Sequence, residues 1–179
     1  MSKMKLLKIL AFALVVGGAL FFALRNKASH PLRVGESAPD FSLPTLSPGS
    51  ITLRDYRQRV VVVNFWATWC PPCVQETPSL EKFAAQTRAQ GVAVMGVSVD
   101  EDLAALRKFV SNAHLSFPIA RDPDRSVASR YGTFKFPETY IIDRDGRIAE
   151  KIAGPINWQD PRIIALVQEL ARGLPRPGQ

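Results

Sequence analysis

Cys70 and Cys73 are the only cysteines in the 179-residue chain, and they stand in the run Trp69-Cys70-Pro71-Pro72-Cys73. Two thiols at this spacing can exchange with another disulfide, supply half of a metal site, or lock as an inert crosslink. A structural zinc takes four ligands, and the chain adds only His30 and His114, both distant in sequence and read as surface residues. A crosslink over two intervening residues hardly restricts the unfolded chain, so it stabilises little. Redox exchange fits best, because a C-x-x-C that follows a buried strand and opens a helix has redox meaning. There Cys70 falls at or near the helix N-cap. Free N–H groups and the helix dipole favour an anion at that point and draw a thiol below its ordinary pKa of about 8.5. Cys73 lies one turn on along the same face, close enough to bond to Cys70 and better buried. Pro71 and Pro72 suit the first turn, where no N–H has an intrahelical acceptor to lose. Neither a metal nor an organic cofactor is expected; the redox group is the Cys70–Cys73 pair.

The elements that must position this pair are legible around it. Val60-Val61-Val62-Val63-Asn64-Phe65-Trp66 is a continuous β-branched and aromatic run, the pattern of a strand buried on both faces. A helix is expected from about Pro72 to Ala89, and a second buried strand over Val92–Val99. Leu103, Leu106, Phe109 and Val110 give helical spacing within Asp102–Ala113. A short strand near 117–120 and a helix near 125–131 follow. Thr139–Ile142 and Arg147–Ile152 flank the turn Asp143-Arg144-Asp145-Gly146, a hairpin signal. Pro161–Arg172 reads as a closing helix, with proline at its start and Gly173 at its end. Before the central strand, Phe41-Ser42-Leu43 and Ile51-Thr52-Leu53 are short strand candidates around a Pro/Gly/Ser turn. Strands alternating with helices and ending in a hairpin give an α/β class with a mixed central sheet.

The two ends of the chain differ from this body. Ile9–Leu24 is an unbroken run of apolar residues and glycine, extended by Leu6 and Leu7 beyond Lys8. At about 1.5 Å per residue, 6–24 nearly spans a hydrocarbon core, and Lys8 can snorkel. No A-x-A-like cleavage site follows, since Phe21-Phe22-Ala23-Leu24 runs into Arg25; an uncleaved anchor is preferred to a removable signal. Lys3, Lys5, Lys8 and the α-amino group precede the segment, against Arg25 and Lys27 after it. The positive-inside rule then puts the N-terminus in the bacterial cytoplasm and the bulk of the chain outside it, on a single-pass inner-membrane protein. The net charge of +7 is concentrated here: residues 1–30 hold five basic and no acidic residues, leaving 18 basic and 16 acidic in the rest. So balanced a domain is no nucleic-acid binder. The expected organisation is an anchor and linker at 1–30, one domain at 31–173, and a Pro-rich disordered tail at 174–179.

Residues 61–73, Val-Val-Val-Asn-Phe-Trp-Ala-Thr-Trp-Cys-Pro-Pro-Cys, resemble the active-site strand and helix start of the thioredoxin superfamily. Val34–Phe41 resembles the amino-terminal hairpin entry of its extracytoplasmic TlpA/ResA/CcmG-like branch. Phe136-Pro137-Glu138-Thr139-Tyr140 resembles that branch's cis-proline loop. The likeness spans roughly residues 33–172. It implies a thioredoxin fold with an N-terminal β-hairpin extension and a central βα insertion. It implies Cys70 as nucleophile, Cys73 as resolving thiol, Trp69 as the aromatic beside the nucleophile, and Pro137 as the cis-proline facing the disulfide. Phe136 and Pro137, with Trp69, Pro71 and Pro72, are then the substrate-binding residues, where an extended segment can pair with backbone. Pro78 matches the proline that kinks the first helix. The buried acid of cytoplasmic thioredoxin is replaced here by Asn64. Glu76, where the branch often has a glutamate, is therefore the candidate proton acceptor for Cys73; an exposed helical glutamate is the alternative.

The implied activity is thiol–disulfide exchange that reduces disulfides of extracytoplasmic proteins, apocytochrome c among them. Electrons would come from a membrane thiol donor, and residues 6–24 would sit in the lipid bilayer. Two rivals share some features. A peroxiredoxin-type thiol peroxidase resembles the Ala38-Pro39-Asp40-Phe41 entry but needs a threonine three residues before its cysteine, where this chain has Ala67. A metal- or haem-binding chaperone could use the two thiolates, but Met and His ligands are lacking nearby.

Overall fold

The computed structural model describes residues 32–173, so the 6–24 segment, His30 and the 174–179 tail lie outside the described residues. No helix among the described residues is long and apolar enough to cross a membrane. The buried side chains of Leu43 and Ile51 face each other across an antiparallel pair, β1 (Ser42–Pro44) and β2 (Ser50–Thr52). A 3-10 turn over Leu53–Tyr56 leads to β3 (Val60–Trp66), in which all seven residues are buried. Next come helix α1 (Pro71–Thr87), strand β4 (Val92–Ser98) and helix α2 (Leu103–Asn112). Strand β5 (Ile119–Arg121) and helix α3 (Ser126–Tyr131) are inserted before the hairpin of β6 (Glu138–Ile142) and β7 (Ile148–Ala153). Helix α4 (Pro161–Ala171) closes the chain.

The five long-range strands form one mixed sheet in the order β5-β4-β3-β6-β7. β3–β4 and β4–β5 are parallel, whereas β3–β6 and β6–β7 are antiparallel. This is the thioredoxin fold with its N-terminal hairpin. The hairpin docks on the far edge, where Thr45 bridges Ala120 and Leu46 N–H donates to Ile119 O at 3.2 Å. The strands reach their expected positions with ends displaced by one or two residues. The β6–β7 turn shows why. Asp143 Oδ1 accepts from Asp145 N–H and Arg147 N–H, Gly146 takes φ +82°, and pairing resumes only at Ile148. Arg147, counted as strand from its sequence, lies just before β7 and forms an antiparallel bridge with Ser37 instead of pairing with β6.

Helix ends follow the residues that satisfy their amides. Asp102 caps α2 by accepting from Ala104 and Ala105 N–H, and Asp160 caps α4 by accepting from Arg162 N–H. Pro161 takes the first turn of α4, and Gly173, at φ +74°, follows its end. Pro78 lies inside α1 and removes one donor from its ladder.

One close approach fixes the sheet beneath the cysteines. Gly96 in β4 is paired with Asn64 in β3 and Ile119 in β5. A Cβ there would stand 2.8 Å from Trp66 Nε1, 2.9 Å from Ile119 Cδ1 and 3.2 Å from Phe117 Cε2. Trp66, the last residue of β3, therefore packs its indole nitrogen into the space a side chain at position 96 would fill. Gly96→Ala should destabilise the protein by about 1–3 kcal/mol through overpacking, outweighing the roughly 0.4–1 kcal/mol gained from a stiffer unfolded chain. Urea denaturation measures this; an unchanged midpoint would mean that Trp66 can move aside freely.

Candidate active site

Strand β3 ends at Trp66 and the chain turns through Ala67, Thr68 and Trp69, with Cys70 N–H donating to Ala67 O at 3.3 Å. Cys70 is extended (φ −98°, ψ 103°) and is the N-cap of α1. Its Sγ accepts the N–H of Cys73 at 3.3 Å, and its carbonyl accepts the N–H of Val74 at 3.1 Å. Pro71 and Pro72 fill the first two helical positions, so they leave no orphan amide behind. Cys70 and Cys73 are joined as a disulfide with their Cα atoms 5.3 Å apart. Cys73 is the deeper of the two, at 1% exposure against 5% for Cys70. The helix start that the sequence implied is thus in place, with the outer sulfur on the N-cap. Reduction would leave that sulfur facing an amide N–H and the positive end of a 17-residue helix, a setting that favours the anion.

Glu76 lies one turn beyond Cys73 and is buried, so the alternative of an exposed helical glutamate does not hold. Its Oε1 accepts from Asn64 Nδ2 at 2.8 Å and its Oε2 from the N–H of Ile156 at 3.1 Å. Asn64 donates its second amide hydrogen to Thr139 Oγ1 at 2.9 Å, across the register pair Asn64–Thr139 of β3 and β6. Burial pushes the Glu76 pKa from 4.5 up to about 7, against the opposing pull of the Ile156 and Asn64 hydrogen bonds and of the nearby Trp158 indole. The Trp158 Nε1 is buried and forms no well-aligned hydrogen bond among the described residues, so its pull on Glu76 is the weakest of the three. Asn64 cannot carry a proton in place of the missing acid; it donates to Glu76, the buried carboxyl nearest to that role. An asparagine inside a seven-residue buried strand must find partners, and that was the one signal in the sequence pointing here. Ile156 and Trp158 come from the loop before α4, and nothing in their spacing links them to Glu76.

The Phe136–Pro137 peptide is cis. Pro137 immediately precedes β6, whose first residue, Glu138, pairs with Phe65 near the end of β3. The loop therefore sits at the same end of the sheet as the disulfide. The Trp69 and Phe136 rings meet edge to face at 6.1 Å, and the Arg125 guanidinium lies 5.9 Å over the Trp69 ring. Trp69, next to Cys70 in the chain, is 55% exposed, and Phe134, in the cis-proline loop, is 70% exposed. A cleft of about 520 Å³ adjoins them, lined by Phe134, Phe136, Pro137, Lys151 and Ala153 among others. Under the loop, Glu138 is buried; its Oε1 pairs with Lys151 Nζ at 3.2 Å and its Oε2 accepts from Tyr140 OH at 3.1 Å and from the Thr133 hydroxyl. Sequence reasoning named Trp69, Pro71, Pro72, Phe136 and Pro137 for this surface but missed Arg125, Phe134 and the Glu138–Lys151 pair. His114, read as a surface residue, is exposed.

Among the described residues no group of three or more His, Cys, Asp and Glu side chains converges on a common point.

Residues 34–151 match the AhpC/TSA family. The chain is 31% identical over 157 residues to the thiol-disulfide oxidoreductase ResA of Bacillus cereus, covering 86% of this chain and 91% of that one. It is 37% identical over 139 residues to the ResA of Halalkalibacterium halodurans, covering 78% and 77%. Among solved structures, a Chlorobium tepidum protein described as the thiol:disulfide interchange protein DsbE superposes with a TM-score of 0.73 at 30% identity, over 78% of this chain and 99% of that one. A dithiol capping the helix that leaves a buried strand, at the same end of the sheet as a cis-proline loop, thus belongs to a chain whose relatives are named thiol-disulfide oxidoreductases. The chain belongs to the AhpC/TSA family, as a thioredoxin-fold thiol–disulfide oxidoreductase of the TlpA/ResA/CcmG-like branch.

Proposed function

We propose that this oxidoreductase works as a reductant of protein disulfides outside the bacterial cytoplasm, with apocytochrome c among its substrates. The observation that carries this reading is the placement of Cys70 Sγ at the N-cap of α1, next to exposed aromatic side chains that suit a protein rather than a small peroxide. Ala67, three residues before Cys70, is buried and offers no hydroxyl to a peroxide.

The reaction runs in two exchanges. The Cys70 thiolate attacks one sulfur of the substrate disulfide. A Cys70–substrate S–S bond forms, the substrate S–S bond breaks, and the leaving sulfur takes a proton. The Cys73 thiol then gives its proton to the Glu76 carboxylate and attacks Cys70 Sγ. The Cys70–Cys73 bond forms, the second substrate sulfur leaves, and two electrons have passed to the substrate. A thiol donor in the membrane returns two electrons to the pair. Residues 6–24 hold the chain in the bilayer, with the domain on the extracytoplasmic side.

Cys70→Ser should abolish dithiothreitol-driven reduction of a protein disulfide. Cys73→Ser should accumulate mixed disulfides that non-reducing electrophoresis resolves. Alkylation of Cys73 before Cys70 in the reduced protein would reverse the assigned roles.

Glu76 has a stability signature as well as a kinetic one. It binds its proton more tightly in the folded chain, so its contribution is fully present below about pH 4.5 and is lost as pH rises through about 7. That shift corresponds to about 3 kcal/mol. Urea midpoints of oxidised Glu76→Gln should therefore lack the decline that wild type shows over this range. In the reduced protein, Glu76 must be ionised to accept a proton, so resolution should quicken with rising pH near 7 in wild type and not in Glu76→Gln. Superimposable pH–rate profiles would leave Glu76 with no part in the proton transfer.

The full chain should remain in the membrane pellet after a high-salt wash, with protease reaching the domain only from the extracytoplasmic side. Recovery of a shortened soluble form would overturn the anchor.

A further inference from the structure

Another buried carboxylate holds the turn that leads to Cys70, and the exchange chemistry does not use it. The parallel pairing of β3 and β4 ends at Trp66 and Ser98, with Val99 N–H still donating to Trp66 O at 3.0 Å. The next residue is Asp100, 2% exposed. Its Oδ1 accepts the Thr68 hydroxyl at 2.5 Å, and both of its oxygens receive the Thr68 N–H, at 3.0 and 3.2 Å. Oδ2 also accepts the Ser98 hydroxyl at 2.8 Å, and Ser98 Oγ in turn accepts the N–H of Asp100 at 3.1 Å. Among the described residues no cation pairs with it. A carboxylate withdrawn from water without a cation is costly unless its oxygens are well supplied with donors. Here three neutral donors supply them, and two of the three belong to Thr68.

Thr68 is the middle residue of the turn that carries the chain from β3 to Cys70. Among the described residues, the backbone bond that closes that turn is the long one from Cys70 N–H to Ala67 O, at 3.3 Å. Where the strand ladder stops, Asp100 takes over as the anchor of this segment. The residue after Thr68 is Trp69, which reaches out of the fold to meet Phe136 at 6.1 Å and to lie beneath Arg125 at 5.9 Å. Packing on one ring edge and one guanidinium does not by itself hold an indole that is 55% exposed. Its direction depends on the backbone that precedes it.

We propose that Asp100 is a positioning residue for substrate engagement: through Thr68 it fixes the turn that aims Trp69 across the mouth of the Cys70–Cys73 site. It touches neither sulfur. The role rests on the exchange reaction at that pair and concerns how a folded protein disulfide is presented to it. A small disulfide needs only Cys70 Sγ and should be indifferent to the latch. A protein disulfide that packs on Trp69 and Phe136 should not be.

The test uses the full chain in detergent micelles, with insulin as the protein disulfide and 5,5′-dithiobis(2-nitrobenzoate) as the small one. Asp100→Asn and Thr68→Val should each raise KM for insulin about tenfold, the loss expected of one hydrogen bond to a charged group, with kcat nearly constant. The rate with the small disulfide should change less than about threefold, well under that loss. Thr68→Ser keeps the hydroxyl and should restore the wild-type KM. In a Trp69→Ala background, Thr68→Val should add nothing further, because the group it aims is gone. Equal losses on both disulfides, or failure of Thr68→Ser to rescue, would reduce the latch to ordinary structural support and overturn the proposal. Additivity of Thr68→Val with Trp69→Ala, or an unchanged KM in both latch variants, would also overturn it. The small-disulfide rate of the wild type reports the exchange chemistry itself, so a fault in that reading shows separately.

Discussion

Everything in this fold that bears on chemistry depends on the meeting of one sulfur with the open end of one helix. The first turn of α1 has amides with no partner inside the helix, and Cys70 Sγ receives one of them. That contact requires the helix to begin at a fixed residue and the preceding strand to end at a fixed height. The strand satisfies the second demand because it is buried along its whole length, between β4 and β6. A one-residue slip of β3 would break pairing on both sides and carry Asn64 out of reach of Glu76 and Thr139. The hairpin of β6 and β7 is bound to the same register, so the cis-proline loop is placed by the strand that places the cysteines.

Polar groups have been sunk into this apolar sheet at some thermodynamic expense. Glu76, Asn64 and Thr139 form a chain of hydrogen bonds through the core, and the Glu76 carboxyl is held where ionisation is disfavoured. A purely apolar trio of the same shape would make a more stable protein. What the polar trio provides is a titrating group one helical turn from the inner sulfur, shielded from bulk water. Asp100 and Glu138 are buried too, the first accepting from Thr68 in the turn before Cys70 and the second following Pro137 at the start of β6. Three buried carboxyls thus lie on the segments that carry the site, each with its own donors.

Much of this was legible in the residues. The β-branched run of β3, the prolines after Cys70 and the Asp-Gly turn before β7 are local signals, and each produced the expected element within a residue or two. The dithiol and the cis-proline loop followed from short motifs. The partners of Glu76 did not. Whether a glutamate three residues after a cysteine is solvated or buried is decided by Ile156 and Asn64, distant in sequence, and only the folded chain brings them together. Asp100 was hidden for the same reason. In sequence it opens the acidic run Asp100-Glu101-Asp102, which reads as a solvated loop, yet Asp100 faces inward to Thr68 while Glu101 and Asp102 face out.

The two prolines between the cysteines have a consequence of their own. Residues 71 and 72 are the first two of α1, and neither has an amide hydrogen to offer. The Val74 N–H is engaged by the Cys70 carbonyl, which leaves the single N–H of Cys73 for the outer sulfur. A helix opening with ordinary residues could turn further donors toward that atom and hold its reduced, anionic form more firmly. Proline at both positions withholds them and keeps electrons easier to give away. The dipeptide therefore acts as a set-point on the driving force of the exchange, written in two residues that never touch the electrons they govern.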